Sequence, residues 1–361
     1  MSTFEKKMKL LGGILNFFRK QNRISPSKIH VPKIKTIIII NNKRLGDFLF
    51  STPAIRALRE ANPSANIVVI TSKHNAGMFG KNPFFDKVIF MENCLKDAVK
   101  TGMELRSLQP ELGIIFHSKC PYDFIALTIS GVQCLMKHYF GNERKVLLTV
   151  CDNYVLGGNL PPVQNDLMLI EKLNVKSLNK DMFFPAPVSN KQEPTHFKIG
   201  LQLGASKADR YFPISTASEL ISNIYAFEPE CEFHLIGTPQ EVMLGDKLID
   251  IVKDECKTNI VNHIGKTNLH QLAEIINNLS ILITPDTGSL HIATALKTKT
   301  VSLFYLKQSN ANTPQQDDHL HRVLYASDYA NESQSLNETS KLSPIPARAM
   351  IDAMTQLWDR S

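Results

Sequence analysis

NNKRLGDFLFSTPAIRALRE, Asn41 to Glu60, is the stretch on which the fold turns. Before it stands Lys35-Thr36-Ile37-Ile38-Ile39-Ile40, an apolar, β-branched run suited to an inner parallel strand covered on both faces. Within it Phe48, Ile55 and Leu58 share one helical face. The order is therefore strand, turn, helix, with Gly46 and Asp47 in the turn. Pro53 then demands either a kink or a helix that starts at Thr52. In open α/β sheets, turns at the carboxyl ends of strands line the ligand crevice. An acid placed there is either a helix cap or a group that acts on a ligand.

The same alternation extends outward. Strands are expected at 34–40, 66–71, 87–91, 112–116 and 132–139, and helices at 48–60, 95–108, 122–130 and 163–173. The Pro-rich polar segment Pro185–Pro194 reads as a linker. Strands then recur at 197–203, 232–236, 259–262, 281–284 and 300–304, with helices at 215–227, 240–252, 268–277 and 289–296. Residues 317–343 read as loop and 346–358 as a last helix. Two βαβ series predict an α/β protein of two Rossmann-like, doubly wound domains facing each other across a cleft. The expected divisions are an arm over 1–32, domains over 33–187 and 188–345, and a terminal helix over 346–361.

At 361 residues the chain has ample length for two such domains. No apolar run approaches the roughly 20 residues that span a bilayer, and no cleavable leader is read at the start. The six cysteines are dispersed without a C-x-x-C pair, which points to a reduced, cytoplasmic protein. The net charge of +7 is concentrated early: residues 1–33 hold Lys6, Lys7, Lys9, Arg19, Lys20, Arg23, Lys28 and Lys33 against Glu5. Phe4, Met8, Leu11, Leu15 and Phe18 recur there at helical spacing, with Leu10, Ile14 and Phe17 beside them. Such a basic amphipathic helix, within residues 1–30, either lies on an anionic membrane surface, packs on the protein, or is a partly disordered arm. Nucleic acid is not expected as a partner, because no further basic run with interleaved aromatics follows.

Ligand-type residues cluster at strand ends of the second half. Thr284-Pro285-Asp286-Thr287-Gly288 runs from a strand into a helix that carries His291 one turn in. Asp286 or Thr287 suits the N-cap, and Gly288 lets a ligand approach the backbone. The free N–H groups of the first turn make a cradle for a diphosphate. An ordinary capped helix would look the same. Gly204-Ala205-Ser206-Lys207 and Arg210 offer small residues, a hydroxyl and cations. Glu241, after Gly237-Thr238-Pro239, suits a diol such as ribose, or simply the first turn of a helix. Phosphate-type residues thus fall in the second half and the isolated acid Asp47 in the first, a division expected of a nucleotide-linked donor and a separate acceptor.

RLGDFLFSTPAIRALRE, PPVQNDLMLIEKLNV, LGASKADRYFP and HIGKTNLHQLAEIINNLSILITPDTGSLHIATALKTKTVSLF together resemble the heptosyltransferase family of glycosyltransferases, which build the lipopolysaccharide inner core. The likeness runs from about Lys33 to about Phe304, and R-L-G-D followed by D-T-G-x-x-H is specific only as a pair. The resemblance implies a GT-B fold and an inverting, metal-independent transfer of heptose from ADP-heptose to a lipid-linked saccharide, without a cofactor. It implies that Asp47 is the catalytic base. Arg210 stands where the family has a diphosphate-binding lysine, and Ala205 and Ser206 occupy its phosphate loop. Glu241 matches an acid near the donor ribose or sugar, and Thr267 lies in the loop beside the adenine. Asp286, Thr287, Gly288 and His291 match the donor-heptose and phosphate element. Arg44, Gly46, His117 and Lys119 fall on the acceptor side. Phe212 replaces the usual tryptophan, and Pro285 a polar residue, which bears on the donor sugar. The chain has no D-x-D, consistent with leaving-group stabilisation by protein groups. An enzyme of this kind would work on the cytoplasmic face of the inner membrane. Other functions compatible with these residues are a GT-B transferase of another nucleotide sugar, a nucleotide-sugar-binding paralogue without turnover, and a sugar-nucleotide epimerase. Asp47 argues against the paralogue, which needs no base.

Overall fold

The structure, a computed structural model, describes residues 3–118, 120–139, 145–157, 160–191, 196–307, 312–330 and 340–358. It divides into two compact units between Ala186 and Pro187. Each unit is built on one six-stranded parallel sheet.

In the first unit the strands are β1 (Thr36–Asn41), β2 (Asn66–Thr71), β3 (Lys87–Phe90), β4 (Leu112–His117), β5 (Cys134–Tyr139) and β6 (Asn153–Leu156), in the order β3-β2-β1-β4-β5-β6. Ile37 to Ile40 are fully buried, as a central strand covered on both faces requires. The order reverses between β1 and β4. There the register shifts between Ile40 and Asn41, so that Asn41 pairs with His117. Helices α2 (Leu45–Ala61), α3 (Leu95–Arg106), α4 (Tyr122–Ser130) and α5 (Pro162–Glu171) follow strands and cover the sheet.

Helix α2 begins earlier than expected. Arg44 occupies its N-cap position, so Gly46 and Asp47 lie in the first helical turn and not in a preceding loop. Pro53 sits inside this helix without ending it. A proline cannot donate to the carbonyl four residues back. Thr52 Oγ1 donates to Leu49 O at 2.7 Å and so satisfies the acceptor that Pro53 leaves open. A preceding threonine can therefore rescue an interior proline, which spacing alone does not reveal.

Before β1 lies helix α1 (Thr3–Arg19), which packs in the same unit against α4 and the 3-10 segment Lys145–Val150. Leu15 joins the core of that unit, and Arg19 is buried against Asp152. The helix is therefore not a disordered arm.

The second unit repeats the plan with β7 (Lys198–Gln202), β8 (Glu232–Ile236), β9 (Ile260–Asn262), β10 (Ile281–Pro285), β11 (Thr300–Phe304) and β12 (His321–Tyr325), in the order β12-β11-β10-β7-β8-β9. This is the same winding, with its reversal between β7 and β10. Its helices are α6 (Ile214–Phe227), α7 (Val242–Ile251), α8 (Asp254–Lys257), α9 (Leu269–Asn277), α10 (Gly288–Ala295) and α11 (Ala347–Leu357). The last helix packs on α6 and β12, and Trp358 beyond it stacks on Phe197 with ring centroids 3.8 Å apart. β6 was not among the expected strands, and β12 is a strand where loop was expected. The latter lies within the polar segment 317–343.

Candidate active site

Both clusters of expected site residues lie at the topological switch points, where a doubly wound sheet opens a crevice at its carboxyl edge. In the first unit, β4 ends at His117 and α2 starts just after β1. His117 Nδ1 lies 3.4 Å from Asp47 Oδ1, and both side chains are partly exposed. The first turn of a helix favours a negative charge, which suits Asp47 at the third helical position. Beneath it runs a buried polar chain. Asn41 Nδ2 donates to Asp47 O and to Ser51 Oγ, both at 2.7 Å. Ser51 Oγ donates to Asp166 Oδ2 at 2.6 Å, and His138 Nδ1 lies 3.5 Å from Asp166 Oδ1. The hydrogen bonds tie the start of α2 to β1 and α5, and His138 on β5 lies against the same carboxylate. Arg44 is exposed and Gly46 partly exposed at the same helix start. Lys119 lies outside the described residues.

In the second unit the cluster centres on Asp286. Arg210 Nη1 lies 3.9 Å from its Oδ2 and His291 Nε2 3.9 Å from its Oδ1. Asn312 Nδ2 adds a bond of 3.5 Å to Oδ2. The acid is thus bracketed by cationic or donor groups, which offset the repulsion a bare carboxylate exerts on phosphate. Thr287 holds the N-cap position of α10, but its hydroxyl does not cap the helix. Its Oγ1 donates to Gln202 Oε1 at 3.0 Å and meets Thr284 Oγ1 at 3.0 Å. Thr287 gives the first turn from Gly288 no side-chain cap, which suits its N–H groups to water or a ligand.

Ala205 and Ser206 form the tip of the loop after β7. That loop is closed by Phe212 N donating to Leu203 O at 2.8 Å, with the Phe212 ring fully buried. Arg210 and Asp286 border a cavity of about 260 Å³ walled by Pro285, Leu303, Phe304, Tyr305 and Leu342.

Glu241 is 6% exposed, at the turn into α7. Its carboxylate presses on two glycines. A Cβ at Gly204 would meet Glu241 Cδ at 2.2 Å, and one at Gly237 would meet Oε2 at 2.4 Å. Thr238 Oγ1 donates to Oε1 at 3.1 Å, whereas Oε2 has no hydrogen-bond partner among the described residues. Burial raises the Glu241 pKa, with bonds from Thr238 and Gln202 working against it. Thr267 lies half-buried between Gly265 and α9. That loop is pinned by Gly265 N donating to Gly237 O at 3.1 Å and by a reciprocal capping box of Asn268 and Gln271.

Periodicity missed Gln202, Asn312, Asn41, Ser51, Asp166 and His138. Asn41 and Gln202 carried one readable signal: each is a polar residue closing an apolar strand.

Residues 154–342, just over half of the chain, match the model of glycosyltransferase family 9 (heptosyltransferase). The chain belongs to that family. It is therefore a glycosyltransferase by descent, and its two sheets are those of the GT-B fold. Among relatives of this family 9 chain, the lipooligosaccharide heptosyltransferase 2 of Haemophilus influenzae is 22% identical over 292 residues, covering 74% of this chain and 82% of that one. A family 9 glycosyl transferase from Veillonella parvula superposes with a TM-score of 0.78 at 17% identity, over 91% of this chain and 98% of that one. The Escherichia coli heptosyltransferase WaaC, solved with ADP-2-deoxy-2-fluoro heptose, gives 0.69 at 13% identity, over 89% and 99%. Among the described residues of the transferase no helix is long and apolar enough to cross a membrane.

Proposed function

We propose that the protein transfers a heptose from ADP-heptose to a lipid-linked saccharide of the lipopolysaccharide core, with inversion and without a metal. One observation carries this: the heptosyltransferase match covers the residues that build the Arg210–Asp286–His291 cluster. In this scheme Asp47 removes the proton from the acceptor hydroxyl as that oxygen attacks the anomeric carbon opposite the leaving group. A positioned base of this kind contributes typically ~10²–10⁴-fold. His117, at 3.4 Å, orients the carboxylate, and Arg44 and Gly46 border the acceptor. The departing ADP gains negative charge. Arg210 and the N–H groups at the start of α10 stabilise it, preorganised for charge that develops in the transition state.

Ala205 and Ser206 line the diphosphate, and Thr267 adjoins the adenine. Glu241, at the turn into α7, adjoins the donor ribose or sugar. Asp286, held by Arg210 and His291, accepts from hydroxyls of the donor sugar, for which the adjacent cavity of about 260 Å³ has room. The enzyme works on the cytoplasmic face of the inner membrane, held peripherally through residues 1–30.

Thermal shift with ADP, UDP, GDP and their sugars tests the donor assignment. A ligand at 100 times its Kd stabilises by about 2.7 kcal/mol. ADP and ADP-heptose are expected to raise Tm and the other nucleotides to leave it unchanged. A shift with UDP or GDP alone would refute the ADP donor.

A further inference from the structure

Helix α1 presents two apolar stripes, and the protein covers only one. Met8, Leu11 and Leu15 face the core of the first unit, Gly12 lies against Val146 O, and Arg19 is buried on Asp152. Arg19 Nη1 also donates to Val132 O, and Asn16 Nδ2 to Thr149 Oγ1, each at 3.0 Å. The other stripe is bare: Leu10 is 67% exposed, Ile14 45%, Phe17 72% and Phe18 66%. At ~100° per residue the two stripes are centred roughly 130° apart. Lys6, Lys7, Lys9 and Lys20 are exposed around the bare one. Large contiguous apolar patches on a soluble surface mark sites of interaction. Aromatic and leucine side chains ringed by lysines match the boundary between acyl chains and anionic headgroups.

We infer that α1 is a rigid membrane dock: Leu10, Ile14, Phe17 and Phe18 enter an anionic lipid surface while the other stripe bolts the helix to the enzyme. This deepens the peripheral association proposed above and rests on it, but it assigns insertion to one face of a packed helix and not to a loose tail. Because Arg19 and Leu15 fix the helix, docking also fixes the orientation of the first unit to the bilayer.

The full chain is tested by co-sedimentation with vesicles of phosphatidylglycerol and phosphatidylethanolamine, and with phosphatidylcholine alone. Wild type is expected to bind the anionic vesicles and to release them with added salt. The double variant L10S/F17S is expected to lose roughly 10- to 100-fold in partitioning, with Tm unchanged and the ADP thermal shift intact. Leu15→Ala is expected to lower Tm instead, because it opens a cavity under the helix. Wild type that fails to bind anionic vesicles refutes the peripheral association itself. Wild type that binds while L10S/F17S binds equally well refutes only the assigned face. A wild-type dimer in light scattering that L10S/F17S converts to monomer, without vesicle binding, would make the stripe a contact between copies and overturn the dock.

Discussion

On the proposed donor side, Arg210 and Gly204 matter for different reasons. Arg210 is half-exposed and 3.9 Å from Asp286, so it supplies charge and little packing. Arg210→Ala is expected to leave the fold intact and weaken ADP binding by roughly 10- to 100-fold, the loss of a charged hydrogen bond. Calorimetry checks it, and unchanged affinity would return Arg210 to the solvated surface. Gly204 matters through what it lacks. Its missing Cβ leaves space for the Glu241 carboxyl, which a methyl group would meet at 2.2 Å. Gly204→Ala should cost about 1–3 kcal/mol in urea unfolding, the usual toll of overpacking, and should also weaken ADP binding. Wild-type stability would show that Glu241 can swing clear at no cost.

At the scale of elements, the edge strands β6 and β12 show where sequence reading stops. Inner strands such as Ile37–Ile40 and Ile281–Thr284 are unbroken apolar runs and were legible. β12, His-Arg-Val-Leu-Tyr, is half-buried along most of its length at a sheet edge, so burial imposes no clear pattern on it. The same limit applies to the site. Asp47, Arg210 and Asp286 announce themselves beside strand ends. His117 beside Asp47, and Gln202 beneath Thr287, follow from strand order, which periodicity does not encode.

β12 also sets a pH dependence. His321 is buried, its Nδ1 paired with Thr300 Oγ1 at 2.8 Å and its Nε2 without a hydrogen-bond partner among the described residues. Burial pushes its pKa from 6.5 down to about 4, against a partial pull upward from Asp317 and Asp318. The unfolded chain takes up this proton first, so the stability it affects is whole above pH 6.5 and is lost as pH falls toward 4. At full effect the loss is on the order of 3 kcal/mol. His234 and His263, whose pKa values burial also lowers, act in the same direction. Urea unfolding at pH 7.5 and 5.0 should show a smaller drop for His321→Gln than for wild type. Equal drops would clear His321.

At the scale of the molecule, one topology occurs twice, and the chain puts different chemistry at each switch point. The first unit offers an acid beside a histidine. The second offers an arginine, a bracketed aspartate and an uncapped helix start. Glycosyl transfer needs both sets, one for the attacking oxygen and one for the leaving diphosphate. The family match spans 154–342 and does not include Asp47, the proposed base.

The decisive measurement is therefore on Asp47→Asn, which keeps the side chain's shape and removes its basicity. Transfer from ADP-heptose is followed on lipopolysaccharide cores truncated at successive sugars, with ADP affinity measured in parallel. The rate is expected to fall roughly 10²–10⁴-fold while ADP affinity stays within about twofold. A variant that transfers heptose at a rate close to wild type would contradict Asp47 as the base.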